Sequence, residues 1–169
     1  MELTFSQVGT EREIAEVAKL AADIWREYYV SLITREQVDY MVDKYQSVPA
    51  ITEQIEQQGC EYYLMRAEEV PVGYMAVKEE EGRLFLSKFY VHKEYRGRGY
   101  ASRADAFLEE LCLRRDLSRI WLTVNRDNAS SIAVYEKKGF RVVREQVADI
   151  GGGFVMDDFV MEKEIAHRP

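Results

Sequence analysis

Histidine and cysteine are scarce in this chain of 169 residues, and their scarcity closes off several chemistries. The two histidines, His92 and His167, lie far apart in sequence, and the two cysteines, Cys60 and Cys112, have no metal-ligand company. No zinc spacing exists, so no metal site is expected, and a catalytic serine–histidine–aspartate set has little to build from. No apolar run approaches the length of a membrane span. The opening residues Met1 to Phe5 lack the basic region and apolar core of a secretion signal. The expectation is therefore a cytoplasmic protein, off the membrane, with both thiols reduced. Net positive charge is also missing. At −7 the chain is acidic, which disfavours general nucleic-acid binding, because phosphate contacts need a basic surface.

What is present describes an ordinary globule. Hydrophobic residues make up 47% of the chain and charged residues 31%, and the length suits one domain over residues 1–169. Leu3 to Val8 reads as a first strand. Thr10 can cap a helix from Glu11 to about Tyr29, with Ile14, Val17, Ala18, Ile24, Trp25 and Tyr28 at helical spacing. Thr34 with Gln37 marks a second helix reaching about Lys44, and Pro49 opens a short third one. Cys60 to Ala67 and Val70 to Lys78 form a hairpin across Glu68-Glu69. Strand Leu84–Val91, helix Tyr100–Arg114 and strand Arg119–Val124 make a crossover, so the two strands should run parallel. Helix Ala129–Lys138 follows. Phe140–Val147 and Phe154–Lys163 close the chain across Gly151-Gly152-Gly153. The fold class is α/β (α+β), a mixed, mostly antiparallel sheet flanked by helices.

The sharpest local feature is Arg96-Gly97-Arg98-Gly99-Tyr100-Ala101. A strand runs into a basic, glycine-rich turn and then into a helix N-terminus. Free backbone N–H groups and the positive end of the helix dipole meet there, which suits a phosphate. Glycine lets the backbone approach an anion, and Arg96 and Arg98 offer forked hydrogen bonds. With Lys93 and Arg103 they form a basic cluster in an acidic chain. The turn is not a P-loop, for it lacks the G-x-x-x-x-G-K-[ST] pattern, and it lacks the third glycine of a dinucleotide fingerprint.

A second block, Asn125 to Phe140, follows the strand Ile120–Val124. Together the two blocks resemble the GNAT superfamily of acyl-coenzyme A-dependent N-acyltransferases. The first matches R/Q-x-x-G-x-G/A at Arg96, Gly99 and Ala101. The second matches N-x-x-A-x-x-x-Y-x-x-x-G-F at Asn125 or Asn128, Ala129 or Ala133, Tyr135, Gly139 and Phe140. The resemblance implies acetyl-CoA as cosubstrate, with its phosphates on Arg96, Gly97, Arg98, Gly99, Tyr100, Ala101 and Ser102. It also implies that the parallel strands splay, with the pantetheine arm pairing to the backbone of Phe89, Tyr90 and Val91. Asn125 and Asn128 become cofactor contacts, and Tyr135 the general acid and a further cofactor contact. A phenol, with a reference pKa about 10, is protonated at neutral pH and can supply a departing thiolate.

Members of this family commonly carry a glutamate on one of the splayed strands. Here the corresponding positions read Ser87, Lys88 and Thr123, and neither Leu84–Val91 nor Ile120–Val124 holds a carboxylate. Asp149, Asp157 and Asp158 flank the last hairpin and could supply negative charge instead. Without a direct base, rate should climb towards the amine's own pKa with no enzyme ionisation near pH 6–7. Trp25, Tyr28 and Tyr29 could hold a cationic amine by cation–π attraction, with Asp149 beside it. The resulting expectation is an N-acetyltransferase acting on a primary amine of a small cationic molecule such as a polyamine. A non-catalytic acyl-CoA-binding regulatory module and a peptide or protein N-acetyltransferase are the alternatives. A homodimer through the last strands is left open.

Overall fold

The computed structural model describes residues 2–166, so His167 lies outside the described residues. The elements in order are β1 (Leu3–Gln7), α1 (Glu11–Tyr29), α2 (Arg35–Gln46), α3 (Val48–Gln57), β2 (Cys60–Ala67), β3 (Val70–Glu80), β4 (Arg83–Val91), α4 (Tyr100–Arg115), β5 (Arg119–Asn125), α5 (Ala129–Lys137), β6 (Arg141–Gly151) and β7 (Phe154–Glu164). A single 3-10 turn, Lys93–Tyr95, sits between β4 and α4. The strands form one seven-stranded sheet in the order β1-β2-β3-β4-β5-β7-β6. β4 and β5 pair in parallel, whereas β1 with β2, β2 with β3, β5 with β7 and β7 with β6 pair antiparallel. The chain divides into two compact units, residues 1–78 with 88–100 and residues 79–87 with 101–169.

In the first unit, α1 buries Ile14, Val17, Leu20, Ala21, Ile24 and Trp25 on one face, the 3.6-residue repeat read from the sequence. Thr10 and Glu13 close a capping box, with the Glu13 carboxylate accepting from the Thr10 N–H at 3.0 Å. Those backbone donors hold the Glu13 carboxyl below its ordinary range. The β2–β3 hairpin turns on Glu68 and Glu69, both with positive φ (49° and 74°), the backbone twist a two-residue hairpin demands. Inside, the Trp25 indole donates to the Tyr74 hydroxyl at 2.7 Å, Tyr74 donates to Gln46 at 2.6 Å, and Gln46 donates to Tyr62 at 2.9 Å. This chain satisfies polar groups that would otherwise be costly to bury.

Gly73 on β3 has a particular task. A Cβ there would lie 2.5 Å from the Tyr90 carbonyl oxygen and 3.2 Å from the Val91 Cα. Next to it, the His92 N–H donates to the Val72 carbonyl at 2.8 Å. The end of β4 thus runs closer to β3 than any side chain at position 73 permits.

In the second unit, β4 pairs with β5 from Arg83↔Arg119 to Phe85↔Trp121, where the ladder ends. The Phe85 and Trp121 rings stack at 4.1 Å. β5 pairs antiparallel with β7 along its whole length, and β7 with β6. Register divides this sheet into two faces. One carries Ile120, Leu122, Val124, Met161 and Lys163. It faces α4, since buried Lys163 forms ion pairs with Asp105 at 2.9 Å and with Glu109. The other carries Trp121, Thr123 and Asn125 opposite Glu162, Val160 and Asp158.

Several element ends lie beyond those the sequence suggests. β3 continues to Glu80 because Glu81 and Gly82 alone, both at positive φ, make the turn. β6 runs on to Gly151. Its residues Arg141–Glu145 are all exposed, so no apolar alternation announces its extent, and irregularities near Val142–Arg144 and Asp149–Gly151 break its period further.

Candidate active site

The glycine-rich turn lies at the end of β4 in the first unit. His92 caps the 3-10 turn by accepting from the Glu94 N–H at 3.3 Å. Gly97 and Gly99 then adopt φ of 78° and 79°, and nothing lies within 4 Å of where a Cβ would stand on either. The turn therefore combines a backbone conformation that favours glycine with open space over its surface, which fits an anion's approach. Tyr100 is buried at the start of α4, and Ala101 and Ser102 lie in the first helical turn, where N–H groups have no partner within the helix.

The arginines are held in the structure. Arg96 donates to both Glu27 oxygens on α1, at 3.3 and 2.8 Å, and through Nε to the Val91 carbonyl at 2.9 Å. Its guanidinium also lies 5.1 Å from the centre of the Tyr28 ring. Arg98 donates to the Glu94 carbonyl at 3.3 Å and covers Tyr95. Nothing local marks Glu27 for selection, because an exposed helical glutamate looks the same whether or not a distant arginine meets it. Asp23, Glu27, Arg26, Arg35, His92 and Lys93 line part of a cleft of about 440 Å³ beside α1.

Around β4 the aromatic residues converge. The Tyr90 ring lies 5.4 Å from Trp25, 6.0 Å from Tyr28, 6.1 Å from Tyr29 and 5.6 Å from Tyr74. The Tyr90 and Tyr29 hydroxyls are 2.6 Å apart. Trp25 is buried and its N–H is committed to Tyr74, whereas Tyr28 and Tyr29 are half-buried. Phe89, Tyr90 and Val91 also retain partial exposure. Burial draws the Lys88 ammonium down to about 8.

The second block folds as a capped helix in the second unit. Asn128, buried, accepts from the Ser131 N–H at 3.2 Å and caps α5. Asn125 accepts from the Asp127 N–H at 2.9 Å, shaping the loop before it. Tyr135 is half-buried with its ring edge-on to Phe140 at 5.5 Å, and its carbonyl accepts from the N–H groups of Lys138 and Phe140, both at 3.0 Å. Lys138 in turn donates to the Ser102 hydroxyl at 2.6 Å. That bond joins the first turn of α4 to the end of α5.

The three hairpin carboxylates separate. Asp149 is exposed and accepts from the Gly151 N–H at 2.9 Å. Asp157 binds Arg126 at 2.9 Å. Asp158 lies within β7 rather than in a turn, is buried, and its Oδ1 has no hydrogen-bond partner. Desolvation, with the Asp157 charge adding to it, pushes the Asp158 carboxyl up to about 6. The Trp121 indole nitrogen, on the same face, is the other buried side-chain polar atom without a partner among the described residues. Also among the described residues, no group of three or more His, Cys, Asp or Glu side chains could hold a metal ion, and no helix is long and apolar enough to cross a membrane.

The acetyltransferase (GNAT) family profile matches residues 18–140, and the chain belongs to this family of acetyltransferases. The family takes its acyl group from acetyl-CoA. Solved structures of low identity share the fold. A PaiA N-acetyltransferase from Thermoplasma acidophilum, in complex with coenzyme A, is 18% identical over 97% of this chain and 99% of its own, with a TM-score of 0.80. A GNAT-family acetyltransferase from Staphylococcus aureus is 15% identical over 98% of this chain and 100% of its own, at 0.73. A spermidine N-acetyltransferase chimera from Vibrio cholerae and hSSAT is 14% identical over 97% of this chain and 96% of its own, at 0.69. Among curated proteins, no sequence matches significantly.

Proposed function

We propose that residues 1–169 form a single N-acetyltransferase domain that acetylates a primary amine on a small cationic molecule of polyamine type. The observation that carries the acceptor class is the gathering of Trp25, Tyr28, Tyr29 and Tyr74 around Tyr90 on β4. Aromatic faces attract an ammonium group, and an acidic chain favours cations in its neighbourhood. Acetyl-CoA supplies an activated acyl carbon and a thiolate leaving group. In this reading Arg96, Gly97, Arg98, Gly99, Tyr100, Ala101 and Ser102 receive its phosphates, and the backbone of Phe89, Tyr90 and Val91 orients its arm. Asn125 and Asn128 add contacts. Tyr135 contacts the cofactor and gives its phenol proton to the departing sulfur. Asp149 is a further charge for the acceptor.

Release of free thiol from acetyl-CoA, followed with spermidine, glucosamine, an amino acid and a peptide N-terminus, tests the acceptor class. Polyamine or amino sugar should be turned over with the highest kcat/KM. Turnover of neutral or peptide acceptors alone, with spermidine and glucosamine inert, would refute it.

A further inference from the structure

The strand positions where a family member would carry its glutamate are Ser87, Lys88 and Thr123. The register of the second unit supplies a carboxylate close by. Thr123 lies opposite Val160, and Asn125 opposite Asp158, so Thr123 and Asp158 are diagonal neighbours on one face of the sheet. Such neighbours stand roughly 7–8 Å apart. That places Asp158 next to one of the strand positions a family glutamate would occupy. Asp158 is also the carboxylate that nothing in its own unit explains. It is 6% exposed, and its Oδ1 lacks a partner, although an unpaired buried charge is costly. Structural carboxylates in the same unit look different: Asp157 holds Arg126, Asp105 holds Lys163, and Glu162 holds Arg119.

Resting on the acetyltransferase reading, we propose that Asp158 is the proton acceptor for the substrate amine, taking from β7 the place that a strand glutamate would fill. The substrate ammonium gives one proton to the Asp158 carboxylate, which passes it to solvent. The freed lone pair forms the new C–N bond as the C–S bond breaks. Tyr135 protonates the departing sulfur, and the second nitrogen proton restores the phenol. The groups facing Asp158 within the unit are Asn125 and Thr123 on β5 and Gln146 and Arg144 on β6, with Glu162 further along β7 and bound to Arg119. Its neighbour Asp157 pairs with Arg126, which also pairs with Glu145. A carboxyl held near 6 is ionised and ready at neutral pH, which revises the expectation that no enzyme group titrates there.

Asp158→Asn keeps the shape and removes the base. With the best acceptor of the four above, kcat/KM at pH 7 should fall by about 10²-fold, and the deficit should shrink towards pH 10 as the amine deprotonates itself. Acetyl-CoA affinity by calorimetry should stay within about twofold, since binding does not use the carboxyl. A second readout needs no turnover. The folded-state pKa is raised above the ordinary value, so the protonated form stabilises the fold below pH 4 and that stability is lost as pH rises through 6. The Asn variant should therefore melt above the parent at pH 8, with the two converging below pH 4. A rate deficit that is flat across pH, a kcat/KM at pH 7 within about threefold of the parent, or equal melting at pH 8 would overturn the proposal. A parent inert towards all four acceptors would instead overturn the small-amine reading and this inference with it.

Discussion

Tyr135 is the residue at which a single atom separates two functions. Its ring packs against Phe140 and its carbonyl closes the end of α5, while only its hydroxyl can donate a proton. Tyr135→Phe should leave the melting temperature and acetyl-CoA affinity near those of the parent, yet lower kcat by ~10²–10⁴-fold. Steady-state rates beside calorimetric titration check this. Equal turnover from neutral to alkaline pH would remove the acid role. Asn128 offers a contrast, because its side chain already caps a helix, and Asn128→Ala should cost about 1 kcal/mol of stability whatever else it does. Thermal unfolding reads that cost directly. Cys112 needs no role beyond packing, for burial pushes its thiol up to about 11, far from reactive.

Among the elements, the turn between β4 and α4 is the one whose shape and chemistry coincide. Gly97 and Gly99 occupy left-handed backbone over open space, and α4 begins at the next residue. Gly99→Glu strains the turn by roughly 1–2 kcal/mol and sets a negative charge where an anion should sit. The expected outcome is at least tenfold weaker acetyl-CoA binding by calorimetry. The double variant Arg96→Ala, Arg98→Ala should weaken binding as well, though part of its effect will come from the released Glu27. Unchanged affinity in both would remove this turn from cofactor binding. The turn was legible because its signals are local: two glycines, two arginines and a helix start within seven residues. α5 was legible for the same reason, through Asn128 and Gly139. β6 was expected as Phe140–Val147, but its run on to Gly151 was not legible, because an edge strand exposed along most of its length shows no alternation.

On the scale of the whole molecule, the order of elements and the parallel pairing of β4 with β5 followed from spacing alone. What spacing could not supply was burial. The doublet Asp157-Asp158 falls inside the expected strand Phe154–Lys163, yet only strand parity sends one carboxylate to Arg126 and leaves the other buried with its Oδ1 unbonded. Likewise the aromatics of α1 look alike in sequence. Only the fold distinguishes Trp25, buried and bonded to Tyr74, from Tyr28 and Tyr29 at the surface of the cluster. Contacts between residues separated by dozens of positions, such as Arg96 with Glu27 or Gln46 with Tyr74, are written in three dimensions and leave no local trace.

The approach of β4 to β3 at Gly73 depends on a hydrogen atom standing where other residues have carbon. Because a methyl group at position 73 would collide with the Tyr90 carbonyl, the path of Phe89–Val91 has no graded alternatives there. Most surface positions can drift through many amino acids while this stretch keeps its course. Position 73 has one permitted letter, and the other nineteen are shut out by geometry before chemistry is consulted. A lineage that moved away from glycine there would have to reroute the strand before it could recover function.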